Sequence, residues 1–243
     1  MTLFEFTAIA VIVLGASLIQ ALFGFGFGLI SVPLMIFFVD LPTAVVTATA
    51  VSTVSCGVQW IESRAVSAKI MSQKLVISAL FGMPFGLWLL NNVEARPMKA
   101  LLGVVVLIGV VLSVKGFDLR RLPVSFDYSM GFLAGILSTA TSTNGPPLVF
   151  LLHSRLYSPQ DFRAVLNRVF TILNFLTLVT FAFAGMINAD SVRLALLAIP
   201  IMGVGVFFGT RARTLINPEQ FRGLVIALLF ATGVSAIINA IFS

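Results

Sequence analysis

Between Glu5 and Asp40 the chain carries no charged residue. A helix crossing the roughly 30 Å hydrocarbon core of a bilayer needs about 20 residues, so this stretch is too long for one span and too short for two comfortable ones. In its middle stands GFGFG, residues 24–28. Each glycine inside a helix costs about 1 kcal/mol relative to alanine, so three at alternate positions mark a break in the helix.

Composition extends the reading to the whole molecule: 59% hydrophobic and 10% charged residues over 243 positions fit an all-α polytopic membrane protein and no soluble class. The net charge of +6 is scattered between apolar runs, which argues against a nucleic-acid partner. No Lys or Arg precedes Arg64, so the first apolar segment is expected to be retained rather than cleaved as a signal peptide. The lone Cys56 can form no intrachain disulfide and reads as a small core residue.

Apolar runs predict spans near 43–62, 71–91, 98–115, 163–186, 191–211 and 220–241. The two remaining stretches, 3–39 and 126–156, are broken by GFGFG and by TSTNGPP (141–147). Each is expected to form a longer helix and a shorter one, near 3–22 and 27–39 and near 126–141 and 145–156. Charge supports the paired reading: it places twelve of fifteen basic residues on one side, leaving Arg96, Lys99 and Arg193 opposite, whereas single spans divide them seven to eight. The basic loops are then cytoplasmic and both termini outside.

The chain thus reads as a first repeat over 1–115, a cytoplasmic linker over 116–125 and a second repeat over 126–243. FGMPFGLWLL (81–90) lies over VGVFFGTRAR (204–213), matching Gly82 to Gly205 and Gly86 to Gly209. A repeat of five elements is inverted in the membrane. Broken helices at matching positions of inverted halves point to a substrate site near the midplane, because unwound backbone survives in lipid only where it lines a cavity or is buried in protein. Glycines there permit φ > 0 and close approach, and the free amides of a starting half-helix bind anions. The matched glycines 82, 86, 205 and 209 read instead as helix-packing positions.

GFGFGLISVPLMIFF, STNGPPLVFLLHS and the tandem helix sets resemble the TauE/SafE family of sulfite and organosulfonate exporters over nearly the whole chain. Gly24, Gly26, Gly28 and Pro33 match the first family motif, with Phe25 and Phe27 alternating where the family runs glycines together. Gly145, Pro146 and Pro147 match the second. The resemblance implies export of small sulfur-containing anions such as sulfite or sulfoacetate.

The residues favour an anion independently, since all nine acids fall at expected span ends or in loops and leave no carboxylate at depth to hold a cation. Candidate substrate contacts are Gly24 to Gly28, Gln20 one turn before them, and Thr143, Asn144, Gly145 and Pro146 at the second break. Arg168 joins them, either as a planar fork for sulfonate oxygens or as a snorkelling surface residue. Asn167 and Asn174 are a heptad apart on one helix face and serve either substrate or interhelical bonding. His153 reads as interfacial. The helix carrying Arg168 is expected to start with Ser158 as N-cap and Pro159 in its first turn.

A small anion and the lipid bilayer are the partners expected, and no cofactor or metal is called for. One His, one Cys and no buried carboxylate supply neither a nucleophile with its base nor a metal cluster, so enzymatic chemistry is not expected. No Walker motif is present. A secondary transporter accounts for the paired breaks; a channel, or a carrier of other small organic anions, is the alternative. The coupling ion and oligomeric state are open.

Overall fold

The computed structural model describes residues 3–63, 68–92, 104, 107, 111, 123–141 and 144–242. Nearly all of them are helical: α1 (Leu3–Phe23), α2 (Phe27–Met35), α3 (Leu41–Glu62), α4 (Ala68–Asn92), α5 (Val124–Thr141), α6 (Gly145–Ser154), α7 (Pro159–Phe183), α8 (Ala189–Ala212) and α9 (Pro218–Phe242). A 3-10 turn, Arg213–Leu215, follows α8. The expected pairs 3–22 with 27–39 and 126–141 with 145–156 are present as α1–α2 and α5–α6, with α2 ending at Met35, two residues beyond Pro33. Pro33, inside α2, lacks the amide that would bond the Leu29 carbonyl. The span expected over 98–115 and most of the linker lie outside the described residues.

Helix starts follow from local chemistry. Asp40 accepts a bond from the Thr43 amide at 3.1 Å and caps α3. Ser158 and Asp161 cap each other at α7, the Asp161 amide donating to Ser158 Oγ at 3.1 Å and the hydroxyl donating back to the carboxylate at 2.7 Å. Asn188 and Ser191 form a full capping box at α8.

Among the described residues five helices are long and apolar enough to cross a membrane, at Phe4–Phe23, Pro42–Glu62, Lys69–Leu89, Pro159–Phe183 and Ala189–Leu215. The surface is that of a lipid-facing protein, with Phe183 90%, Ile61 84% and Phe37 78% exposed while Gln20, Gln59 and Asn167 are buried.

The chain forms two compact units, each drawing on both halves of the sequence: Met1–Arg64 with Asn167–Ile216, and Ala65–Leu166 with Asn217–Ser243. In the first, α8 lies on α1, and a methyl group added at Gly205 would stand 2.7 Å from the Leu14 carbonyl oxygen and from Ser17 Cβ. At Gly209 it would stand 2.6 Å from Ala21 Cβ and 2.7 Å from the Leu18 carbonyl oxygen. In the second, α4 lies on α5, and methyl groups at Gly82 and Gly86 would overlap the carbonyls of Phe132 and Ile136. The four glycines expected to pack helices therefore do so, letting backbones approach where a side chain would hold them apart. The apolar core of the first unit gathers Ile9, Val13, Phe27, Met35, Val51, Leu194, Met202 and Val206 from α1, α2, α3 and α8.

Candidate functional site

The first break is a left-handed turn. Gly24 and Gly26 have φ of 82° and 103°, a region that L side chains rarely enter, and Gly26 is the N-cap of α2. Gly28 lies inside α2 with no positive φ, so conformational freedom explains two glycines of GFGFG and not the third. Phe25 and Phe27 alternate with them for a packing reason: both rings are 1% exposed, Phe25 sits edge-on to Phe23 at 6.5 Å, and Phe27 enters the core. The aromatic pair pins the turn while the glycines let it turn.

Beside this turn α1 and α3 carry polar groups into the interior. The Gln20 carbonyl accepts from the Gly24 amide at 2.7 Å, closing α1. The Gln20 side chain, 1% exposed, places Nε2 at 2.9 Å from Ser52 Oγ and 3.1 Å from Cys56 Sγ, while its Oε1 is buried without a partner. Asn174 of α7 donates Nδ2–H to the same Ser52 oxygen at 3.2 Å. One turn further along α3, Gln59 donates to Ser55 Oγ at 3.2 Å and accepts from an Arg213 amino group. The Arg213 Nε–H donates to the Ala21 carbonyl at 2.8 Å, putting a cation on the C-terminal end of α1.

The expected residues distribute as follows. Gln20 and Asn174 meet at Ser52. Asn167 is buried with Oδ1 unpartnered. Arg168 is half-buried with its guanidinium 5.3 Å from the centre of the Trp60 ring, a cation–π contact at α3. Ser52, Cys56, Gln59 and Arg213 were not expected at a site. Ser52, Cys56 and Gln59 stand at spacings of four and three on one face of a span. Arg213 gave no signal, because it follows a span among other basic residues.

The second break, described within its own unit, differs in its donors. Asn144, 8% exposed, is the N-cap of α6, and Gly145, Pro146 and Pro147 fill the first helical positions, all buried. A starting helix leaves its first amides without intrahelical partners, but prolines have none to offer. The first turn of α2 carries an amide at each position from Gly26 to Leu29, whereas that of α6 has prolines at 146 and 147, which carry none. Thr143 lies outside the described residues. Asp127 is buried but ion-paired with Arg155 at 2.7 Å, so it is not free to hold a cation. Thr139, in the same polar stretch, donates to the Met83 carbonyl at 2.9 Å and joins α5 to α4. Both ring nitrogens of His153 are buried without partners.

An apolar outside, a hydrogen-bonded polar interior and a membrane helix unwound beside that interior define a multi-pass membrane protein of transporter type. The chain belongs to the sulfite exporter TauE/SafE family, whose description it matches over residues 9–236. It is 27% identical, over 91% of its length and 90% of the relative's, to a probable sulfite/organosulfonate exporter TauE of Cupriavidus necator. It is also 30% identical, over 63% of its length and 66% of the relative's, to a probable inner membrane transporter protein TsaS of Comamonas testosteroni. No solved structure gives a significant match. The family is one of transporters and not of enzymes.

Proposed function

We propose that the protein is a secondary transporter that exports small sulfur-containing anions, sulfite or an organosulfonate, across a bacterial inner membrane by alternating access. The carrying observation is the buried Gln20 amide, held against Ser52 and Cys56 at the left-handed glycine turn with one polar atom left unpartnered. An unsatisfied buried amide costs about 1–3 kcal/mol, and an oxyanion recovers that cost when the amide is turned with its NH2, not its carbonyl, left without a protein partner. The α2 amides and the Arg213 cation at the Ala21 carbonyl favour an anion as that ligand. The names of the relatives favour a sulfur oxyanion.

The two halves, 1–115 and 126–243, are inverted repeats in this reading. Supporting it, the glycines paired by sequence register, 82 with 205 and 86 with 209, each pack a fourth element of one half on a first element of the other. Both termini lie outside. A cysteine placed at Ser243 should react with an impermeant reagent in whole cells lacking Cys56, and one at Leu119 should not; the reverse pattern refutes this orientation.

The assignment is tested by thermal shift of the purified protein against sulfite, sulfate, taurine, sulfoacetate and simple carboxylates, since a ligand of the native state stabilises it by mass action. At least one sulfur oxyanion should stabilise it. Stabilisation by cations or neutral solutes alone refutes the assignment.

A further inference from the structure

The proton inventory around Gln20 carries an inference beyond the transport reading, on which it rests. The polar side-chain atoms of the cluster are Gln20 Oε1 and Nε2, Ser52 Oγ, Cys56 Sγ and Asn174 Nδ2. With Nε2 turned toward Ser52 and Cys56, Ser52 Oγ accepts twice, from Gln20 at 2.9 Å and Asn174 at 3.2 Å. Its own hydrogen and that of the thiol then have only each other's heavy atoms, 4.0 Å apart, while Gln20 Oε1 has nothing. Neither Ser52 nor Cys56 bonds a carbonyl of its own helix, the usual outlet for such groups.

A half-turn of the amide exchanges its oxygen and nitrogen and leaves the same heavy-atom positions filled. After that turn the Ser52 hydroxyl donates to Gln20 Oε1 over the same 2.9 Å, the Cys56 thiol donates to it over 3.1 Å, and Asn174 still donates to Ser52. The Ser52 hydroxyl and the Cys56 thiol then both have acceptors, and the two hydrogens of the Gln20 amino group are left for a ligand. We propose that this is the working orientation: Ser52 and Cys56 fix the Gln20 carbonyl, and its buried NH2, beside the turn at Gly24, is the donor that recognises the substrate oxyanion. An NH2 only donates, which suits a sulfonate or sulfite face, whose oxygens only accept. The opposite orientation presents a bare carbonyl, which suits an ammonium group.

Cys56 is the only cysteine of the chain, so its S–H stretch is observable without labelling. A thiol that donates absorbs at lower frequency than one that does not. In the ligand-free protein the band should rise in Gln20→Leu and stay in place in Ser52→Ala, since the acceptor is the amide. A band that moves in Ser52→Ala but not in Gln20→Leu overturns the proposal. The second arm is binding of methanesulfonate and of methylammonium. Gln20→Glu keeps the acceptor for Ser52 and Cys56 but loses the amide donors, so it should bind methanesulfonate about tenfold or more weakly. Methanesulfonate affinity equal to wild type in Gln20→Glu, or wild-type preference for methylammonium, overturns the proposal. A wild type with the expected band shifts that binds no sulfonate supports the orientation and refutes the transport reading beneath it.

Discussion

The Arg213 Nε–H sits 2.8 Å from the carbonyl oxygen of Ala21, two positions before α1 ends and three before the left-handed turn begins at Gly24. The last carbonyls of a helix have no partner within it and carry its negative dipole, and a guanidinium answers both needs. Arg213 also donates to Gln59, so one side chain ties α8, α1 and α3 together beside the break. Replacing it with leucine should destabilise the protein by about 1–3 kcal/mol, the cost of stranding a buried acceptor, with Arg213→Lys in between because an ammonium cannot span both partners with a fixed fork. Unfolding in mixed detergent measures it; equal stability of all three proteins removes this role.

At the turn itself, Gly24→Ala and Gly26→Ala place a methyl group on backbone at φ 82° and 103°. Each should cost about 1–2 kcal/mol from the left-handed region alone. Gly28→Ala, inside α2, should be near neutral. Melting temperatures of the three variants separate them, and a Gly28 variant as damaged as the Gly26 one would mean that the third glycine is needed for close approach by another group.

The helix-packing glycines make a sharper contrast. Gly205→Ala and Gly209→Ala must push α8 off α1, whereas a methyl at Gly203 or Gly223 meets nothing within 4 Å. The first two should lose stability by roughly 1–3 kcal/mol, as overpacked cores do. The second two should gain up to about 1 kcal/mol from helix propensity. Thermal unfolding of the four single variants decides it, and loss at Gly203 would contradict the assignment of the packed face.

Much of this was legible in the sequence because it follows from local rules. The Ser158–Asp161 cap, the breaks at 24–28 and 141–147, and the packing role of Gly82, Gly86, Gly205 and Gly209 need only spacing and residue type. The polar cluster was half legible: Gln20 and Asn174 stand out in lipid as amides, but Ser52 and Cys56 do not, since small hydroxyl and thiol residues usually bond their own helix. Arg213 was hidden because a basic residue after a span reads as a cytoplasmic anchor, and only the chain's return brings it to Ala21. The donor poverty of the second break was visible in GPP and was outweighed by the analogy with the first.

One pH effect follows from the cap of α3. Bonds from Thr43 hold the Asp40 carboxyl below its ordinary value of 3.8. A carboxylate with a lowered folded-state pKa contributes stability above its unfolded pKa and loses it as pH falls through the folded one. The difference in melting temperature between wild type and Asp40→Ala should therefore be constant above about pH 5 and shrink below about pH 3.8. A difference that persists unchanged into stronger acid would show that the cap works through shape and not charge.

The central claim is that a sulfur oxyanion passes through a site at the Gln20 amide and the glycine turn. Efflux of radiolabelled sulfoacetate and sulfite from proteoliposomes, measured with and without unlabelled substrate outside, tests it most directly. The account predicts saturable flux accelerated by outside substrate, and a fall of about tenfold or more in Gln20→Leu, the loss of one bond to a charged partner. Flux that rises linearly with concentration and carries current, or that is equal in wild type and Gln20→Leu, would contradict it.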